Sequence, residues 1–326
     1  MFALFNFIAP LLRSRRYTYM ITLALQAMAT RFELALNGDS PGLRAAGEEA
    51  MAEISRIEAM LSLYKPTSEV ANLNGRAGGE AVPVSVEMFA LLQRAVALSR
   101  ETNGAFDITI APLVRCWGFM RGQGSVPSDE QIEEARANVG FQLLELNEAE
   151  RSVRFLRPGV MLDFGAFGKG YAVDRAIEVL RELGIASALL HGGTSTVFGM
   201  GRTENNLPWK IAVTGEPPSE EVLWLVELRE ESLSVSAVWG KSFASQGRTF
   251  GHILDARTGR PSERAELAAV NVVSSADSDA LSTALLVDGP IGLDSLAKQR
   301  PNARAFVFAN GKIFPHHIDE AVVRPR

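Results

Sequence analysis

From Tyr17, through Tyr19, Ile21, Leu23 and Leu25, apolar residues alternate with their neighbours, the period of a half-buried strand. A second run of this kind, RFELALNG, closes at Gly38, and Ala27-Met28-Ala29-Thr30 lies between the two. The period then lengthens. Ala46, Ala50, Ile54, Ile57 and Leu61 share one face of a helix predicted over 41–61, which ends in the loop LSLYKPTSEVANLN at Pro66. Phe89, Leu92, Val96 and Ser99 predict a second helix over 85–103, with Gly104 placed as its left-handed cap. Ser128 and Gln131 have capping-box spacing and start a short helix expected to stop at Gly140. FQLLELN and SVRFLRP read as strands around a polar turn.

The stretch VMLDFGAFGKGYAVD, over 160–174, follows. Its apolar start predicts a strand ending at Asp163, then a turn with Gly165, Gly168 and Gly170, then a helix opening at Tyr171. Beyond it, SALLHGG, WKIAV, WLVEL, SLSVSAV, TFGHILD and LAAVNVVS read as strands. The last feeds a helix over 276–287, and AFVFANGKIF is a hairpin on Asn310-Gly311. Long helices among antiparallel-looking strands, without repeats or linkers, predict an α+β fold in one compact unit.

Composition narrows the class. The 326 residues are 47% hydrophobic, enough for a sizeable core. A net charge of −5 without long basic or acidic runs implies no nucleic-acid partner, and the single Cys116 excludes an internal disulfide or a multi-cysteine metal site. MFALFNFIAPLL is too short to span a bilayer, and its arginines follow the apolar run instead of preceding it as in a secretory signal. Residues 1–16 are expected to form a poorly ordered or interfacial tail on a cytoplasmic protein. If the segment acts as an anchor, the chain is exported or membrane-peripheral.

Three places carry candidate chemistry. In the glycine-rich stretch, free N–H groups and Lys169 suit a phosphate, yet neither the P-loop nor the dinucleotide fingerprint fits the spacing, so a plain strand-to-helix turn is an equal reading. Asp279 and Thr283 lie four apart on a helix, a hard-oxygen pair suited to Mg²⁺, or else a residue favouring the helix dipole and a back-bonded threonine. GHILDARTGRP offers His252 as a general base beside a tight turn, or simply a polar hairpin. His191-Gly192-Gly193-Thr194 resembles the oxyanion loop of esterases, but a serine hydrolase is not expected.

In combination, MATRFELAL, YKPTSEVANLN, GAFDITIAPL, DFGAFGKGYAVD, the LHGG strand end, HILDARTG and SDALSTAL resemble, in order along roughly residues 20–315, the ApbE family of flavin transferases. The resemblance implies a flavin-transferase domain over 17–320, an α+β fold with mixed or antiparallel sheets and flanking helices. It implies transfer of FMN from FAD to a Thr or Ser hydroxyl of an acceptor flavoprotein, with release of AMP. Met28, Tyr64, Ala105, Phe106, Asp107, Asp163, Lys169 and Ile253 would line the FAD site. Asp279, Thr283 and the Ala166 carbonyl would bind Mg²⁺, and His252 would act as the base. The alternatives are FAD binding without transfer, and Mg²⁺-dependent hydrolysis of FAD to FMN and AMP. Three positions depart from the family pattern: Thr194 in place of an acid, Ser236-Ala237-Val238-Trp239 in place of Ser-Gly-Asp-Tyr, and Ala256 in place of a proline.

Overall fold

The computed structural model describes residues 5–7, 20–38, 40–122, 124–216 and 222–318. Its centre is an eight-stranded sheet in which chain order and spatial order coincide. The strands are β1 (Met20–Ala27), β2 (Thr30–Asn37), β3 (Ala188–Gly192), β4 (Thr196–Met200), β5 (Glu231–Ala237), β6 (Leu267–Val272), β7 (Arg304–Ala309) and β8 (Lys312–His316). Every neighbouring pair is antiparallel. The helices are carried as insertions between strands. Between β2 and β3 run α1 (Pro41–Leu61), α2 (Glu69–Arg76), α3 (Val86–Glu101), α4 (Ala111–Cys116), α5 (Asp129–Arg136) and α6 (Gly168–Glu182). Between β6 and β7 run α7 (Ser275–Asp288) and α8 (Gly292–Gln299).

Period-two alternation sorts the strand residues into two cores. Phe32, Leu34, Leu36, Leu190, Phe198, Val270 and Val307 pack with the apolar faces of α1, α6 and α7. Their neighbours Leu189, Val197, Leu233, Val235, Ala269 and Phe306 turn to the opposite face and meet the hairpin Trp209–Thr214 and Val222–Leu228. A sheet covered on both faces explains why SALLHGG reads as a continuous apolar run. Phe5–Phe7 adds an antiparallel strand to the outer side of that hairpin. The rest of the tail expected over 1–16 lies outside the described residues, as does the start of the first predicted strand before Met20. Among the described residues no helix is long and apolar enough to cross a membrane.

The structure corrects several local expectations. The segment at Val160-Met161-Leu162 makes only an isolated parallel bridge, Met161 to Ile110, and α6 begins at Gly168, three residues before Tyr171. Gly168 and Gly170 therefore belong to the helix, and their lack of a side chain serves packing. A Cβ on Gly170 would sit 2.1 Å from the Ser275 carbonyl oxygen of α7. The expected strand TFGHILD is broken, because His252 donates its backbone N–H to Lys241 and Ser262 donates to Ile253. Arg248–Gly251 and Leu254–Asp255 consequently sit in separate two-stranded ribbons. The helix opened by the Ser128 capping box ends at Arg136, before Gly140, whose N–H goes to Thr109. Finally, Gly38-Asp39-Ser40-Pro41-Gly42 matches the letters G-x-S-x-G, but Ser40 is no nucleophile. Its hydroxyl caps α1 by accepting from Leu43 at 3.3 Å.

Candidate functional site

A cleft of about 550 Å³ opens where the ends of β1, β2 and β5 meet α1, the start of α6 and the middle of α7. Met28 and Ala29 form one side. They connect β1 to β2 with φ of 49° and 58°, so two residues bearing Cβ atoms occupy the left-handed region that Asn-Gly usually fills. Such residues cost on the order of 1–3 kcal/mol each and persist where surroundings hold them. The holding group is Glu58 of α1, whose Oε1 accepts from Met28 N at 2.5 Å and whose Oε2 accepts from Lys65 at 2.7 Å. Lys65 keeps this carboxyl below the usual range; burial opposes that, and the Met28 N–H adds to it. Tyr64, 73% exposed, stands at the mouth.

Ala105, Phe106 and Asp107 line the next stretch of wall, following the left-handed Gly104 that ends the third helix. Phe106 packs on Phe167 at 5.9 Å. Both Asp107 oxygens are engaged within the protein, Oδ1 by the Thr109 N–H and hydroxyl and Oδ2 by Phe141 N. Burial raises its pKa against those bonds. Asp163 is raised by burial too, with the Gly165 N–H, Lys169 and Lys241 pulling the other way.

Across the cleft, Lys169 donates to Gly165 O at 2.9 Å and lies 3.4 Å from Asp279 Oδ2, which also accepts from Gly170 N at 3.2 Å. Asp279 is thus anchored by the first turn of α6. It lies beyond the first turn of α7, whose start is capped by Ser274, accepting from Asp277 N at 3.2 Å, and by Asp174, which accepts from Ser274, Ser275 and Ala276. Thr283, one turn further along α7, donates to the Asp279 carbonyl at 3.2 Å and contacts the Ser236 hydroxyl at 3.2 Å. Ala166 lines the same space. Among the described residues no cluster of three or more His, Cys, Asp and Glu is arranged around a metal. The buried Asp279 carboxylate and the Thr283 hydroxyl are hard oxygen donors, the type a hard cation takes together with water and phosphate oxygens.

His252 and Ile253 close the cleft. The His252 ring donates from Nδ1 to the Lys241 carbonyl at 2.9 Å. A carbonyl only accepts, so Nδ1 carries the proton and Nε2 keeps its lone pair. Burial pushes the pKa down to about 4; the Lys241 carbonyl opposes this, and the charges of Lys241 and Lys169 reinforce it. Although only partly covered by area, the ring is tightly surrounded. Phe119 meets its edge at 6.5 Å, and a Cβ on Gly240 would lie 2.9 Å from Cε1.

All twelve residues singled out from the sequence line this one cleft. His191 of the His-Gly-Gly-Thr segment does not; it is tied to Glu33 at 3.2 Å and Gly193 O at 3.0 Å. Asp255, in the same motif as His252, is buried and bidentate to Arg257. Of the departing positions, Thr194, Ala237 and Ala256 line the cleft, as does Ser236, which keeps the family residue; Val238 and Trp239 are not among the lining residues. Sequence reasoning passed over Glu58, Lys241 and Phe119. Glu58 is separated from Met28 by thirty positions, and nothing in the helical period of α1 marks it.

A cleft this size, with hard oxygen donors, two lysines and a neutral histidine converging on it, defines an α+β protein suited to a phosphate-bearing ligand. The ApbE family model matches residues 28–308, and the chain belongs to the ApbE family of flavin transferases. It is 29% identical over 252 residues to the FAD:protein FMN transferase of Escherichia coli K12, covering 74% of this chain and 71% of that one. The crystal structure of the ApbE protein from Thermotoga maritima superposes with a TM-score of 0.86 at 26% identity, over 94% of this chain and all of that one. Apo flavinyl transferase ApbE from Pseudomonas stutzeri gives 0.80 at 28% identity, over 93% and 96%.

Proposed function

We propose that the protein transfers FMN from FAD to a Thr or Ser hydroxyl of an acceptor protein in a Mg²⁺-dependent reaction. The observation that carries this is the meeting of Asp279, Thr283, Lys169 and His252 on one cleft of the family fold. Mg²⁺, held by Asp279, Thr283 and the Ala166 carbonyl, would supply charge neutralisation at the pyrophosphate. Lys169, fixed by Gly165 and Asp279, adds a positive charge beside it. His252 takes the acceptor's hydroxyl proton at Nε2 as the oxygen attacks the FMN phosphorus. The new P–O bond replaces the one to AMP, which leaves with its electron pair. Met28 and Tyr64 flank the flavin, and the packed wall at 105–107 limits water.

Incubation with FAD, Mg²⁺ and candidate acceptor proteins, followed by intact mass, tests the proposal. A gain of one FMN on the acceptor, lost with chelator, supports it. Release of FMN and AMP without an adduct assigns hydrolysis instead, and unchanged FAD in both assays assigns binding alone.

A further inference from the structure

We propose that Glu58 is a positioning residue that sets the separation of the two sides of the cleft mouth and so controls affinity for the planar ring of the ligand. The proposal rests on the functional reading above and adds a residue to it. In a two-residue hairpin connection the ladder closes at the pair Ala27 and Thr30, which leaves the Met28 N–H outside the sheet. Glu58 takes it at 2.5 Å with one oxygen and holds Lys65 at 2.7 Å with the other. Lys65 belongs to a laced loop: Tyr64 N and Lys65 N both donate to Ser62 Oγ at 3.2 Å, and Ser68 Oγ donates to Ser62 O at 2.6 Å. A single carboxylate therefore spans from the left-handed Met28-Ala29 turn to the segment carrying Tyr64.

Seating α1 does not require this contact, because Ile54 and Ile57 are already fully buried beneath it. Met28, Ala29, Glu58 and Tyr64 instead share the cleft. Without the bracket, the unfavourable φ values at Met28 and Ala29 would relax and the Tyr64 loop would lose its charged tether. The mouth then widens at the ring end, while the Lys169 and Asp279 end stays as it is.

Binding of FMN and of ADP, measured by fluorescence and calorimetry respectively, separates the two ends. Glu58→Ala is expected to weaken FMN roughly tenfold or more, the scale of one charge-assisted hydrogen bond, and to leave ADP within about threefold. Glu58→Gln, which keeps an acceptor for Met28 N but loses the charge, falls between. Adding Ala29→Gly to Glu58→Ala recovers part of the FMN affinity, since glycine takes the left-handed turn without a steric cost. Equal weakening of FMN and ADP, or unchanged FMN binding, overturns the proposal alone. Wild-type protein that binds ADP but neither FMN nor FAD removes the functional reading and this proposal with it.

Discussion

Asp279 stands 3.4 Å from Lys169 and 3.2 Å from Gly170 N, so replacing it changes charge and hydrogen bonding together. Asp279→Asn separates the effects, because the amide still accepts from Gly170. Mg²⁺-dependent turnover is expected to be lost with the melting temperature near that of wild type. Asp279→Ala additionally strands the buried N–H, at about 1–3 kcal/mol. Wild-type turnover of the Asn variant at ordinary Mg²⁺ would remove the metal role. His252 carries a separate pH prediction. Its pKa is lowered from 6.5 to about 4, so the basic form persists well into acid and the acidic limb of the transfer rate falls near pH 4. His252→Asn is expected to keep FAD binding, slow transfer roughly a hundredfold or more and erase that limb. The same shift bears on stability. The unfolded chain takes the proton more readily, so this contribution is constant above pH 6.5 and is lost as pH falls from there towards 4. A limb at 6.5 would show that the ring titrates as a solvated histidine.

At the scale of elements, the first turn of α6 lies directly against the start of α7 beside the site. Gly170 allows it, and serine hydroxyls finish it on the other side, Ser278 with Ser232 and Ser234, and Ser282 with Ser236. Asp279 and Thr283 are therefore aimed by two neighbours, a helix start and a strand. Gly170→Ala forces a Cβ to within 2.1 Å of a backbone oxygen and is expected to cost about 1–3 kcal/mol. A lower unfolding midpoint should accompany a larger Mg²⁺ requirement, since the displaced N–H is also a partner of Asp279. A variant with wild-type stability and wild-type Mg²⁺ dependence would contradict this account of the glycine.

At the scale of the molecule, the antiparallel sheet is a frame on which insertions from three regions of sequence converge. Met28, Tyr64 and the 105–107 wall come from the first half, Lys169 from the centre, and His252 with Asp279 from the second half. A cleft with the exposed Tyr64 at its mouth and the largely covered Lys169 inside is expected to prefer FAD to ATP, which lacks the flavin ring. Titration read by FAD fluorescence quenching, with ATP as competitor, checks this. Equal affinity for both nucleotides would rule out recognition of the flavin.

Periodicity sufficed for the helices Pro41–Leu61 and Val86–Glu101, the second two residues shorter at its end than expected, because burial of one face leaves its period in the residues, and the Asn310-Gly311 turn marked the last hairpin. The ordered motifs carried the candidate residues, although no single spacing distinguished a ligand site from a turn. What the linear pattern left open depends on contacts between distant segments. Gly168 and Gly170 look like a phosphate turn, and only the folded chain shows packing contacts there, of Gly168 with Leu61 of α1 and of Gly170 with the start of α7. His252 and Asp255 lie three residues apart in one motif, and only the folded chain shows Asp255 committed to Arg257 and the Lys241 carbonyl setting the tautomer of His252. Glu58 reads as one more polar residue on a helix. Its role exists only once the sheet brings the strained Met28 turn within hydrogen-bond reach.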